Sequence, residues 1–412
     1  MTRLALPVLP SEILDEILFI LDPLDVASFA QTCKKYHNFV YHPGDNHLWR
    51  GLYLAHPLDD PRLSLTPCLD RIPPKNIDWK ASLQAFIRAR TVLANPSKCR
   101  VGERETILRT LIKVLRGATP ASSFCEEPRS ENLVWLDTVL RNGDFLTGEL
   151  PGSTATELQL RAYLLVHLGL TPNDAKSASK ASARAFVYDM RNYRYDNSFG
   201  PYLSDGSGRT NWVHVYAIHR TIAMHLVDLQ EDELFECPPI PISMPYCQSI
   251  IPSGLDLSKE RDWVGIEGPW HCIFSFVDHR ELLRKRFLPL GALHSRPDPR
   301  RIEFLPGGCH RESTSSLYLL IWPTQRGGDK APLNATAFQG PEFRDVLRVL
   351  PVRLRIIGTE RDPKHVTRPR LMFAGDVSSG QTIMGRIEMT PDEHLDWKWV
   401  RLRNNLDRYR SY

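Results

Sequence analysis

Apolar positions recur along this chain with two different periods, and the first of them is helical. Ile13, Leu14, Ile17, Leu18 and Leu21 fall on one helical face, and Ser11 stands where it can cap that helix. Asp22-Pro23 is a second start signal, because proline at the first helical position forfeits no hydrogen bond. Val26, Phe29, Ala30 and Cys33 then share a face, and Asp45 is placed to cap a short helix bearing Leu48, Trp49, Leu52 and Tyr53. Residues 58–74, rich in Pro, Asp and Leu without periodicity, predict a linker lying along neighbouring surface. Helical spacing resumes after Asp78, where Leu83, Phe86, Ile87 and Arg90 repeat. It continues through Glu105–Arg116, Glu131–Arg141, Thr156–Leu168, Pro172–Tyr188 (with Thr171 as cap) and Trp212–Leu229.

Beyond Cys237-Pro238-Pro239 the period falls to two, the spacing of strands with one face buried. Cys272, Phe274 and Phe276 alternate, as do Ile302 and Phe304; Val352, Leu354 and Ile356 alternate with Arg353 and Arg355. Leu317–Trp322 reads as a buried strand, Leu371, Phe373, Gly375 and Val377 as a further one. Ile383–Met389 and Leu395–Trp399 flank Thr390-Pro391-Asp392-Glu393-His394, the clearest hairpin. Between Val264 and Leu402 this makes about eight strands, a number at which a sheet can close into a barrel. A curved open sheet or a sandwich gives the same alternation. The fold class is therefore α+β: a helical bundle, a helical middle and an antiparallel β-rich end, divided at 1–55, 56–235 and 236–412.

The first helix carries more apolar surface than one core face uses, since Phe19 and Ile20 widen its stripe. A unit of roughly 40–50 residues is also too small to bury a self-sufficient core. Surplus apolar surface on an undersized helical unit implies a partner that covers it. The stretch Leu9-Pro10-Ser11-Glu12-Ile13, Leu21-Asp22-Pro23-Leu24-Asp25-Val26, Cys33-Lys34-Lys35-Tyr36 and Leu48-Trp49-Arg50 resembles an F-box, the module that docks onto the adaptor subunit of cullin-based ubiquitin ligases. Thr32 departs from the apolar residue usual before the cysteine. The resemblance implies an adaptor-facing or motif-forming set of Leu9, Pro10, Ile13, Leu14, Leu18, Leu24, Val26, Cys33 and Trp49. Trp263-x-Gly265-x-x-Gly268-x-Trp270, Asp278-x-Arg280-x-Leu282 and Gly385-x-Ile387-x-Met389-Thr390-Pro391-Asp392 resemble the C-terminal region of fungal F-box proteins, His271 departing from the basic residue usual after the tryptophan.

Composition narrows the function classes. A net charge of +4 over 412 residues gives no argument for nucleic acid. No apolar run approaches the ~18–20 residues of a membrane span, and the start is not a signal peptide. Eight scattered cysteines without a Cys-x-x-Cys pair read as reduced thiols of a cytoplasmic or nuclear protein, in which the Asn334-Ala335-Thr336 acceptor would be idle.

Catalytic and metal signatures are weak. The glycines of Asp196–Thr210 lack the lysine of a phosphate loop and read as a plain loop. His214 and His225 lie about 16 Å apart along a helix, and His219 points roughly 140° away from His214, so core or surface roles suit them better than a shared metal. Glu126-Glu127 and Glu231-Asp232-Glu233 read as solvated faces. Cys309-His310 with Glu312 lacks zinc spacing, and Asp278-His279-Arg280 lacks an accompanying nucleophile. The basic runs Leu283-Arg284-Lys285-Arg286 and Arg401, Arg403, Arg408, Arg410 have no aromatic platform for nucleic acid.

The expectation is a non-catalytic, cofactor-free substrate-recognition subunit of an SCF-type ligase. Its partners are the adaptor, through it the cullin, and an unidentified protein substrate held by the β-rich end. The alternative is a ligand- or peptide-binding β-domain protein acting outside the ligase.

Overall fold

The computed structural model describes residues 9–402 apart from 43–45, 124–128, 147, 149–151, 172–173, 175, 229–243, 258, 278–334, 340–342, 344, 364, 366–367 and 378–380. The described elements make an α+β chain of two compact units, one formed by Met1–Thr171 with Cys237–Leu257, the other by Pro172–Glu236 with Ser258–Tyr412.

The first unit is helical: α1 (Ser11–Phe19), α2 (Pro23–Ala30), α3 (Lys34–Tyr41), α4 (His47–Leu54), α5 (Trp79–Ala94), α6 (Arg104–Arg116), α7 (Glu131–Arg141) and α8 (Ala155–Leu168). Side chains close the orphan N–H groups at most of the sequence-predicted starts. Asp22 accepts from Leu24 N–H and Asp78 from Ala81 N–H, and Thr154 and Glu157 cap α8 reciprocally. Ser11 does not cap α1: Pro10 takes that position, and the Ser11 hydroxyl, already inside the helix, donates to Glu12 at 3.2 Å. Asp45 lies outside the described residues; α4 starts after Asn46.

One hydrophobic cluster joins Leu18, Val26, Ala30, Val40, Leu48, Trp49, Leu52 and Tyr53 of α1–α4 to Trp79, Leu83, Phe86 and Ile87 of α5. The small four-helix unit thus completes its core with the helix that follows it. The connection between them is anchored inside the unit as well as running over it. Ser64 is fully buried, and the buried Asp59 carboxylate accepts from Thr119 N–H at 2.7 Å, Ser130 Oγ at 2.5 Å and Glu131 N–H at 2.8 Å.

The second unit contains α9 (Ser177–Val187), α10 (Trp212–Asp228) and an antiparallel meander of β1 (Gly268–Val277), β2 (Asp345–Glu360), β3 (Arg370–Val377), β4 (Gln381–Met389) and β5 (Leu395–Leu402). Helix α9 begins well after Pro172, with Lys176 at its cap. Asp174, inside the predicted first turn, is instead buried in a turn, paired with Arg220 of α10 at 2.6 Å.

The period-two reading of the sheet holds along β2, whereas on β4 and β5 Glu388 and Asp396 are also buried and Leu395 is exposed. Val352, Leu354 and Ile356 are buried while Arg353 and Arg355 face outward, and Leu371, Phe373, Val377, Ile383, Ile387 and Met389 continue the buried face. The Thr390–His394 turn closes β4–β5, with Thr390 N–H donating to the His394 carbonyl at 2.8 Å and Glu393 at φ 61°. Trp270 on edge strand β1 and Trp397 on edge strand β5 bring their rings within 5.3 Å, so the sheet curls into a half-barrel of five described strands. The strands expected at Ile302–Phe304 and Leu317–Trp322 lie outside the described residues.

Gly265, shortly before β1, serves a turn. Asp262 accepts from the N–H groups of Gly265, Ile266 and Glu267 at 2.7–2.9 Å, and Gly265 takes φ 76°.

Candidate functional site

Helix α1 has two apolar sides that meet different fates. Leu14 and Leu18 turn inward, 6% and 1% exposed, whereas Ile13 and Ile17 stay 48% and 39% exposed. Ile13, Ile17 and Ile20 follow one another at i, i+4 and i+7, so they form one row along the helix. Leu9, just before α1, and Leu24, in the first turn of α2, are also apolar and exposed, at 39% and 51%, and are counted with the row. Of the two residues that widen the apolar surface of α1, Phe19 packs inward on the core, in space left by Gly51, and Ile20 remains 84% exposed. Glu12 and Glu16, both exposed, border the row along one side with carboxylates, whereas Asp15 turns away from it toward His47 of α4, 3.7 Å off.

The remaining members of the expected set divide between surface and scaffold. Pro10 is exposed at the cap of α1, and Cys33 is exposed at the start of α3. Val26 and Trp49 are buried, and the Trp49 indole N–H donates to the Val40 carbonyl at 2.9 Å.

The α1–α2 corner is held from α5. Arg90 Nη2 bonds both carboxylate oxygens of Asp22, at 2.9 and 2.7 Å, while Asp22 Oδ1 also accepts the Leu24 N–H at 2.9 Å. Burial alone would raise the Asp22 carboxyl, but the Leu24 N–H and Arg90 outweigh it and hold the group below the usual carboxylate range. Farther along the module Lys80 Nζ donates to the Tyr41 carbonyl at 3.1 Å and lies over the Tyr41 and Trp49 rings.

Residues 6–55 match the F-box-like family model. No curated protein and no solved structure matches the chain. The matched stretch holds all of α1–α4 and the whole exposed row, so the apolar strip belongs to the F-box-like module. Modules of this family are typically non-catalytic and bind adaptor subunits.

Among the described residues the other sequence candidates do not converge on a second centre. His214 is buried, with the rings of Phe186 and Tyr193 edge-on to it at 5.2 and 5.0 Å, and loss of water pushes its imidazole down to about 4. His225 faces elsewhere, its Nε2 2.8 Å from Asp345. Asp345 also takes a two-pronged bond from Arg184 at 2.9 and 3.0 Å, which makes it a pin joining α9, α10 and β2. Among the described residues no group of three or more His, Cys, Asp or Glu is arranged to hold a metal, and no helix is long and apolar enough to cross a membrane. Glu126-Glu127, Glu231-Asp232-Glu233, Asp278-His279-Arg280, Asp278-x-Arg280-x-Leu282, Leu283–Arg286, Cys309-His310 with Glu312, and Arg403, Arg408 and Arg410 lie outside the described residues.

Sequence reasoning left Ile17 and Ile20 out of the adaptor-facing set; it read Asp22 as a helix start but did not see the contacts that Asp22, Lys80 and Arg90 make between helices. For the first two a signal existed in the i, i+4, i+7 spacing from Ile13. For the last three it did not, because their partners are set by packing between helices.

Proposed function

We propose that this chain is the substrate-recognition subunit of an SCF-type cullin ubiquitin ligase. The exposed row of Leu9, Ile13, Ile17, Ile20 and Leu24 on the F-box-like module carries the reading. A water-facing apolar strip bordered on one side by carboxylates, on helices whose inward residues are already packed, is suited to an adaptor groove. Leu9, Pro10, Ile13, Leu24 and Cys33 are then surface members of the docking set, and Leu14, Leu18, Val26 and Trp49 hold the scaffold beneath them. The β-rich end holds the target protein, and the helical middle is the spacer between the two functions. No bond is made or broken by this chain; it raises the effective concentration of the target beside the ligase's charged ubiquitin carrier. A cytoplasmic or nuclear location goes with this role.

The test is co-purification of the adaptor and cullin with the full-length chain and with an Ile13→Asp, Ile17→Asp variant. The expected result is recovery of both partners by the parent chain and loss of both from the variant, with an unchanged melting temperature. Full adaptor capture by the variant overturns the docking assignment. Adaptor recovered without cullin places the action outside the ligase.

A further inference from the structure

We infer that Arg90, on helix α5 and outside the matched module, is a positioning residue for adaptor docking. The inference rests on the proposed docking role of the apolar row and names what sets its shape.

The row is not straight. It runs along α1 to Ile20 and resumes on α2 at Leu24, and the chain between them turns through Asp22. The geometry of that turn decides whether Ile20 and Leu24 present one continuous strip. Asp22 fixes the start of α2 twice, through its carboxylate to Leu24 N–H at 2.9 Å and through its carbonyl to Asp25 N–H at 2.8 Å and Val26 N–H at 3.0 Å. A carboxylate on a corner has several rotamers, and Arg90 selects one by bonding both oxygens from Nη2. The same Oδ1 therefore serves Arg90 and Leu24 together.

Helix α5 can bear this load because it is itself fixed. Trp79, Leu83, Phe86 and Ile87 are sunk in the cluster shared with α1–α4. Arg90 is partly exposed beyond them, so replacing it removes the tether and leaves the packing in place.

A neighbour on the same helix supplies the control. Arg88 also pairs with a carboxylate, its Nε and Nη2 each 2.6 Å from Glu103, its Nη2 donates to the Lys98 carbonyl at 2.8 Å, and none of these partners lies in α1–α4. Arg88→Gln thus removes a comparable pair from α5 without reaching the docking row.

The experiment measures adaptor affinity of the full-length chain by calorimetry for the parent, Arg90→Gln, Arg88→Gln and Ile13→Asp, Ile17→Asp. We expect Arg90→Gln to weaken binding about fivefold, the scale of one ordinary hydrogen bond. Arg88→Gln is expected to bind as the parent does, and Arg90→Lys, which keeps the charge, to recover part of the loss. Equal weakening by Arg88→Gln and Arg90→Gln means general loosening of α5 and overturns the inference. So does parental affinity of Arg90→Gln while the double isoleucine variant has lost binding. Parental affinity of the double isoleucine variant instead removes the docking reading on which the inference stands.

Discussion

The Trp49 indole N–H donates to the carbonyl of Val40 across 2.9 Å, tying α4 to the last turn of α3 inside the F-box-like core. Trp49→Phe keeps most of the ring and leaves that carbonyl without its donor. A loss of about 1–2 kcal/mol in unfolding free energy is expected, read from urea midpoints. Trp49→Ala adds a cavity and should cost about 3–5 kcal/mol.

The exposed row predicts a separation of binding from stability. Leu9→Ala with Pro10→Ala removes exposed surface, so its unfolding free energy should stay with the parent's, within about 0.5 kcal/mol. Adaptor co-purification should nevertheless be lost. A drop in both together would mean the row belongs to the fold.

At Gly375 the sheet leaves no room. A Cβ there would meet Leu354 Cδ2 at 2.6 Å, Val352 Cγ1 at 2.7 Å and Ile383 Cγ1 at 2.8 Å. Gly375→Ala is expected to lower stability by about 1–3 kcal/mol through overpacking, measured by thermal denaturation.

Stability should also depend on pH through His214. Burial lowers its folded value to about 4 from 6.5, so in between the unfolded chain holds a proton that the folded chain refuses. The stability is therefore present at pH 7 and falls as the pH drops through 6.5 toward 4. Burial shifts His56 and His167 in the same direction. His214→Leu should then reduce, without abolishing, the difference between urea midpoints at pH 7 and pH 5. Asp345, whose carboxyl burial would raise but which His225 and Arg184 hold below the usual value, contributes stability above that window and loses it only at lower pH.

Asp59 offers the sharpest test of the first unit's interior. Its carboxylate gathers donors from Thr119, Ser130 and Glu131, far away in sequence. Asp59→Leu leaves these without their acceptor, for an expected loss of about 3 kcal/mol in chemical denaturation.

How far the sequence could be read follows from the range of the interactions involved. Helices α5–α8 and strands β2–β5 were legible because burying one face imposes a local period, as with Val352, Leu354 and Ile356. Asp22 and Asp78 were legible as caps because a cap bonds its own next turn. The start of α9 was not: the helix opens at Ser177 behind Lys176, which carries no side-chain cap bond to mark it. Asp59 and Arg90 gave no sign, because their partners come from other helices. In the docking set the motif named Leu14 and Leu18 beside Ile13, although the first two point into the core and the third into water. A motif records which residues occur together and not which way each one faces.

The meander has a kinetic consequence. Strands β2 to β5 are joined through short connections, so their pairing closes small loops. Strand β1 reaches β2 only across the interval from Val277 to Asp345, which are partners in the ladder. Closing that longer interval costs more chain entropy and makes β1 the late arrival. Only on its arrival do Trp270 and Trp397 approach, so refolding followed by tryptophan fluorescence should show a final phase that far-ultraviolet dichroism barely registers. The two rings act as a clasp that fastens last.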